Sequence, residues 1–185
     1  MSTSVASLAI CITLLIHSVF VRTTTTTTTT EPRERFQFKN VATRRHLTVS
    51  DRTLTTREVC DATGDATTWL ATWKENYDEH AVYELKNLES SLCLDSSRKH
   101  DQRFTETDAS HAYVLSCNGG SFQRWLLVRL NQTRVTLRNL ATMKYLYNHI
   151  EILDAVYVWR ASPGTHYEWY LTKAHHSSPE EGVNS

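Results

Sequence analysis

One segment of this chain is written three times, and that repeat constrains the fold more than any other feature. The copies are Phe36 to Thr43, Tyr83 to Ser90 and Val135 to Thr142. Each reads apolar, any residue, apolar, cation, asparagine, apolar, any residue, hydroxyl. A leucine follows each copy at the same offset, at Leu47, Leu94 and Leu146. The asparagines at 40, 87 and 139 stand 47 and 52 residues apart, so three similar units of nearly equal length are expected around an axis.

Within each copy the apolar residues alternate, as Phe36/Phe38, Tyr83/Leu85 and Val135/Leu137. Period two is the signature of a half-buried strand. Tyr113-Val-Leu115, Trp125 to Val128 and Tyr157-Val-Trp159 keep the habit, with turn residues such as Asn118-Gly-Gly120 and Ser162-Pro-Gly164 between them. No stretch carries a helical stripe. The expectation is an all-β fold of about twelve short strands, four to a unit. A tryptophan ends each unit, and three such side chains converging on one axis would bury about 150–250 Å² each. Trp125 lies 14 residues before Asn139, and Trp73 lies 14 before Asn87, so spacing selects Trp73 over Trp69 for the first unit, with Trp169 in the third.

The ends set the expected compartment. Val5 to Val21 is almost wholly apolar and Arg22 closes it, which reads residues 1–21 as a secretory signal or an uncleaved anchor. Thr23 to Thr30 followed by Glu31-Pro-Arg-Glu-Arg35 has no apolar face, so residues 22–35 read as a linker. The globular domain is expected over 36–173 and a polar, frayed tail over 174–185, whose His175-His176 pair is too mobile to make a metal site. Twenty Lys and Arg balance twenty Asp and Glu, which excludes a basic nucleic-acid footprint. No membrane insertion is expected beyond the N-terminal segment. Asn131-Gln-Thr133 is an N-glycosylation acceptor in the turn between the second and third copies.

Cys93-Leu-Asp95, Leu115-Ser-Cys117 and Gln123-Arg-Trp125 together resemble one repeat of the ricin-type β-trefoil lectins, in phase with the independent period. The resemblance spans residues 36 to about 172 and is strongest in the middle copy. It implies a β-trefoil with pseudo-threefold symmetry, whose closed barrel hides sheet edges. It also implies a Cys93–Cys117 disulfide within the repeat, in keeping with secretion. His46 occupies the position that matches Cys93 in copy one, so Cys60 is left either as a free thiol or as a bond to another chain.

In that family a working repeat uses the carboxylate after Cys-Leu, an aromatic two residues before the second Cys, and a polar residue three before the tryptophan. Copy two offers Asp95 and Gln123 but has Leu115 and Phe122 in the other positions. Copy three offers Trp159 for stacking and His166 for the polar position, with Tyr147 and Asn148 where the carboxylate would be. Copy one has Thr48 and no aromatic. The alternatives are an altered glycan site and residues that only hold turns and corners. Asp108-Ala-Ser110-His111 contains triad residue types, but neighbours in sequence cannot all converge. The run Glu75, Asp78, Glu79, His80 has no metal-ligand spacing, so neither a metal nor a cofactor is expected.

The resulting expectation is a secreted, non-enzymatic carbohydrate-binding module that recognises glycans or a cell-surface glycoprotein. A signal, a linker and a lone trefoil are also similar to the binding subunits of cytolethal distending toxins, which implies attachment or delivery of a separately encoded partner protein. The alternative is a trefoil whose sugar sites are lost and whose surface serves as a protein-interaction or inhibitor module.

Overall fold

A computed structural model describes residues 33–58, 64–100, 110–148, 155–160 and 164–174, with the backbone alone over 97–100. The expected signal, most of the linker, Cys60, Asp108 and the paired histidines of the tail lie outside these residues. Among the described residues there are twelve strands: β1 (Arg33–Asn40), β2 (His46–Ser50), β3 (Thr53–Arg57), β4 (Thr68–Tyr77), β5 (His80–Asn87), β6 (Cys93–His100), β7 (Ser110–Leu115), β8 (Arg124–Arg129), β9 (Arg134–Asn139), β10 (Tyr145–Asn148), β11 (Val156–Trp159) and β12 (Glu168–Lys173). Two single-turn 3-10 helices, Asp65–Thr67 and Ser121–Gln123, precede β4 and β8.

Six strands close a barrel by antiparallel pairing in the order β1–β4–β5–β8–β9–β12 and back to β1. The other six form the hairpins β2–β3, β6–β7 and β10–β11 at one end. Each hairpin joins the barrel through the cation of the repeat, as Lys39 pairs with His46, Lys86 with Cys93 and Arg138 with Tyr145. Strands β7 and β11 of two different hairpins also pair with each other, through His111 and Tyr157.

The repeated asparagine is the pin of each unit. Asn40, Asn87 and Asn139 are fully buried. Each donates from Nδ2 at 2.8 Å to a carbonyl just before the neighbouring barrel strand, those of His166, Ala66 and Phe122. Each accepts at Oδ1 from the hydroxyl that ends the repeat, Thr43 at 3.3 Å, Ser90 at 3.0 Å and Thr142 at 3.2 Å. These bonds hold a tight turn in which Arg44, Ser91 and Met143 adopt φ of 60°, 58° and 56°. Such a backbone costs about 1–2 kcal/mol per non-glycine residue, which the asparagine network offsets.

Three tryptophans fill the barrel with matching geometry. Trp69, Trp125 and Trp169 are fully buried, and their indole N–H groups donate to the carbonyls of Leu47, Leu94 and Leu146 at 3.1, 2.9 and 3.3 Å. The leucine that follows each copy is therefore both a core residue and the tryptophan's acceptor. This corrects the choice of Trp73, which is 37% exposed. In register Trp69 stands opposite Asn87, as Trp125 stands opposite Asn139. Four extra residues in the β4–β5 hairpin stretch the spacing in the first unit from 14 to 18 and place Trp73 beyond the barrel. That hairpin closes tightly on Asp78 and Glu79, at φ 47° and 65°, the primed turn that suits strand twist.

The longer β4 also alters the expected start of the domain. Arg33, Glu34 and Arg35 are not linker but strand, paired with Thr72, Ala71 and Leu70. The disulfide implied by the resemblance is present between Cys93 and Cys117, with Cα atoms 5.0 Å apart and a sequence separation of 24. It ties the start of β6 to the loop after β7, and a loop of that size contributes about 3 kcal/mol in the chain-entropy model.

Candidate functional site

Strand alternation places three positions of each unit together on the outer side of its hairpin. The first is the residue after the repeat leucine, the second its cross-strand partner, and the third lies two residues before the core tryptophan. Copy two presents Asp95, Tyr113 and Gln123; copy one Thr48, Thr55 and Thr67; copy three Tyr147, Tyr157 and Tyr167. Register supports the equivalence, with Asp95 opposite Tyr113, Thr48 opposite Thr55 and Tyr147 opposite Tyr157. The third residue is set each time by a tight turn, its N–H donating to the carbonyl of Gly64, Gly120 or Gly164 at 3.2, 2.9 and 3.1 Å.

Copy one has no ionisable group at these positions. The Thr48 hydroxyl donates to the Ala66 carbonyl at 2.9 Å and that of Thr67 to Gly64 at 3.1 Å. Copy three is filled by aromatic packing. Tyr147, Tyr157 and Tyr167 are buried as a cluster separate from the barrel core, with the rings of Tyr147 and Tyr167 4.7 Å apart. Trp159 and His166 do come together there, since both rings lie against Tyr147 at 5.8 and 5.7 Å, and both are partly buried. Asn148 does not join them at the surface. Next to Tyr147 on the strand, it points to the opposite side and is fully buried; Thr43 donates to its Oδ1 at 2.7 Å, and its Nδ2 donates to Ala155 at 3.0 Å. Its role is to tie copy three to copy one.

Copy two keeps a carboxylate in a nearly dry setting. Asp95 is only 6% exposed, and Gln123 is fully buried behind it. Gln123 is itself fixed at both ends of its amide. Its Oε1 accepts the Asn118 N–H at 2.8 Å and its Nε2 donates to the Ser116 carbonyl at 3.0 Å. Burial pushes the Asp95 carboxyl above the usual aspartate range, and the hydrogen bond from Gln123 partly counters it. Tyr113, across the strand, is raised first by burial and then by the Asp95 charge. The arrangement is a desolvated acceptor, aimed by a rigid amide and flanked by a phenol. Its chemistry suits hydroxyl donors with an adjoining apolar face.

Tyr113 is the residue that sequence reasoning missed. The family spacing points to Leu115, which is 48% exposed on the same outward face. A Tyr two residues earlier shares that face by period two, and this was the available signal. Ser110 and His111 separate, as alternation requires: Ser110 is buried, and His111 lies against the ring of Tyr157 at 4.7 Å. Glu75 of the acidic run, on β4, pairs at 2.7 Å with Arg124 of β8, the two strands that flank β5. Asn131 sits in the exposed β8–β9 turn, where its Oδ1 accepts the N–H groups of Thr133 and Arg134, each at 2.9 Å.

No family model and no curated protein sequence matches the chain. Solved structures do. The designed threefold-symmetric protein ThreeFoil is similar over 74% of this chain and 96% of its own, with 21% identity and a TM-score of 0.57. A lectin of Polyporus squamosus, solved with the epitope Neu5Aca2-6Galb1-4GlcNAc, is similar over 77% of this chain and 49% of its own, at 15% identity and a TM-score of 0.59. A mosquitocidal holotoxin is similar over 79% of this chain and only 18% of its own, at 15% identity and a TM-score of 0.61. These likenesses establish the fold: the chain is a β-trefoil.

Proposed function

We propose that this chain is a non-enzymatic carbohydrate-binding module of ricin B type with one working site, in copy two. The observation that carries the reading is the buried Asp95 carboxylate held by Gln123 beside Tyr113. Placing an ionised carboxylate in so dry a position costs stability, and paired sugar hydroxyls would recover part of that cost. The lectin of Polyporus squamosus has a similar fold and binds a sialylated epitope, which supports glycan recognition here. Attachment to a cell surface, with or without a separately encoded partner, follows from the same reading.

A glycan array with the wild-type domain and the Asp95→Asn and Tyr113→Ala variants tests it. Binding to some glycan is expected, with a loss of about tenfold or more in each variant, since a hydrogen bond to a charged group is worth about 1.5–3 kcal/mol. Absence of binding by the wild type, or full retention by Asp95→Asn, overturns the reading. The pH dependence has a definite sign. Because the folded-state carboxyl binds its proton more tightly than in the unfolded chain, ionisation of Asp95 lowers stability as pH rises from the ordinary aspartate range through the raised value. Asp95→Asn is therefore expected to unfold at a higher temperature than wild type at neutral pH while losing ligand. Affinity falls on acidification through the same raised value, where the acceptor becomes protonated.

The filled positions of copies one and three favour a second reading for those faces, a surface that contacts protein. Retention of a partner by Asp95→Asn after enzymatic deglycosylation of that partner supports it. Loss under those conditions removes it.

Secretion belongs to the proposal as well, supported by the Cys93–Cys117 disulfide and the accessible Asn131 turn. Expressed through a eukaryotic secretory route, the protein is expected to run faster on a gel after endoglycosidase treatment, and Asn131→Gln is expected to abolish the shift. An unchanged band in the wild type counts against glycosylation at this turn.

A further inference from the structure

The end of the barrel opposite the three hairpins holds a cavity of about 270 Å³, lined by Phe36, Glu79, His80, Ala81, Tyr83, Leu127 and Arg129. Its floor is apolar. Phe36 and Leu127 are buried, and the ring of Tyr83 meets that of Phe36 edge-on at 6.4 Å and 89°. One wall exists only because the β4–β5 hairpin is four residues longer than β8–β9, which brings Glu79, His80 and Ala81 to the rim.

The formal charges of this mouth balance, but they are not all in contact. Glu34 is engaged by Lys173 at 3.0 Å, whereas the Arg129 side chain makes no hydrogen bond or ion pair among the described residues. Burial raises the Tyr83 phenol, with Glu34 raising it further and Arg129 and Lys173 drawing it down. A guanidinium and a phenol above an aromatic floor suit a carboxylate on an apolar body. Glu79 on the rim disfavours a second negative charge.

We propose that this lower mouth binds a small amphiphilic monoanion, its apolar part against Phe36 and Leu127 and its carboxylate on Arg129. The site is independent of the Asp95 face and does not require it to bind sugar. Titration of the whole domain with 3-phenylpropanoate and with its neutral isostere 3-phenylpropanamide, followed by amide chemical shifts of Tyr83 and Leu127, tests the assignment. The acid is expected to saturate and to bind about tenfold tighter than the amide, and Arg129→Gln is expected to erase that preference. Arg129 is exposed, so the variant's remaining shifts report an intact fold. Absence of saturation, equal affinity for acid and amide, or a preference that survives Arg129→Gln overturns it.

Discussion

Replacing Trp69 by alanine is expected to lower the unfolding free energy by about 3–5 kcal/mol, whereas Trp73→Ala is expected to cost less than about 1 kcal/mol. Trp69 is fully buried in the barrel, and its removal leaves a large cavity and strips the Leu47 carbonyl of its 3.1 Å donor. Neither loss is easily repaired, because Trp69 belongs to one buried cluster with Phe36, Leu85 and the two equivalent tryptophans. Trp73 stands on the protruding hairpin, 37% exposed, where its indole N–H donates to Asn76 Oδ1 at 3.4 Å. Urea titration of both variants checks the ordering. A larger loss for Trp73→Ala would mean that the first unit is registered as its 14-residue spacing suggests, and the strand pairing described here would be wrong.

Asn139→Ala is expected to cost about 3–4 kcal/mol, near the scale of a core aromatic although few apolar atoms are lost. Its Nδ2 donates to Phe122 and Arg124 carbonyls at 2.8 and 3.3 Å, while its Oδ1 accepts from the Ala141 and Thr142 N–H groups, each at 3.1 Å. Truncation leaves several of these groups without a partner in a place that water reaches poorly. Asn139→Asp separates this cause from simple packing, because it keeps the shape and turns a donor into an acceptor facing two carbonyls. Thermal unfolding that left Asn139→Asp near wild type would show that shape alone matters at this position. The same argument applies to Asn40, whose bonds match, and to Asn87, which keeps both Nδ2 bonds and the Ser90 N–H bond but, among the described residues, not a bond from the N–H two residues on.

These predictions also mark where sequence reasoning succeeds. The segment from Phe36 to Thr43 and its two relatives encode a local device, a strand, a pinning asparagine and a turn closed by a hydroxyl. A local device repeats in sequence because each of its contacts is set at fixed offsets or by an identical neighbour. The leucine and the tryptophan belong to it, and so the barrel was legible. The register of the first unit was not, because the β4–β5 hairpin is longer by four residues and an even insertion preserves alternation while changing spacing.

The candidate sites were less legible for a related reason. Asn148 and Trp159 are the right residue types for a sugar, yet Asn148 faces inward and Tyr147, Tyr157 and Tyr167 fill the place a ligand would take. Tyr113 was passed over because a motif counted from Cys117 ignores which residue lies opposite Asp95.

By itself the sequence determined that the chain is three units of alternating strands, with one asparagine, one leucine and one tryptophan in each, and that Cys93 and Asp95 stand in phase with them. Those properties depend on local periodicity, which chain order preserves. Only the tertiary structure decided which tryptophan enters the barrel, which of three equivalent faces keeps a buried carboxylate, and that Arg129 lines one cavity with Phe36 and Tyr83. Each of these depends on the meeting of strands distant in sequence, where burial and charge are set by the partner across the sheet.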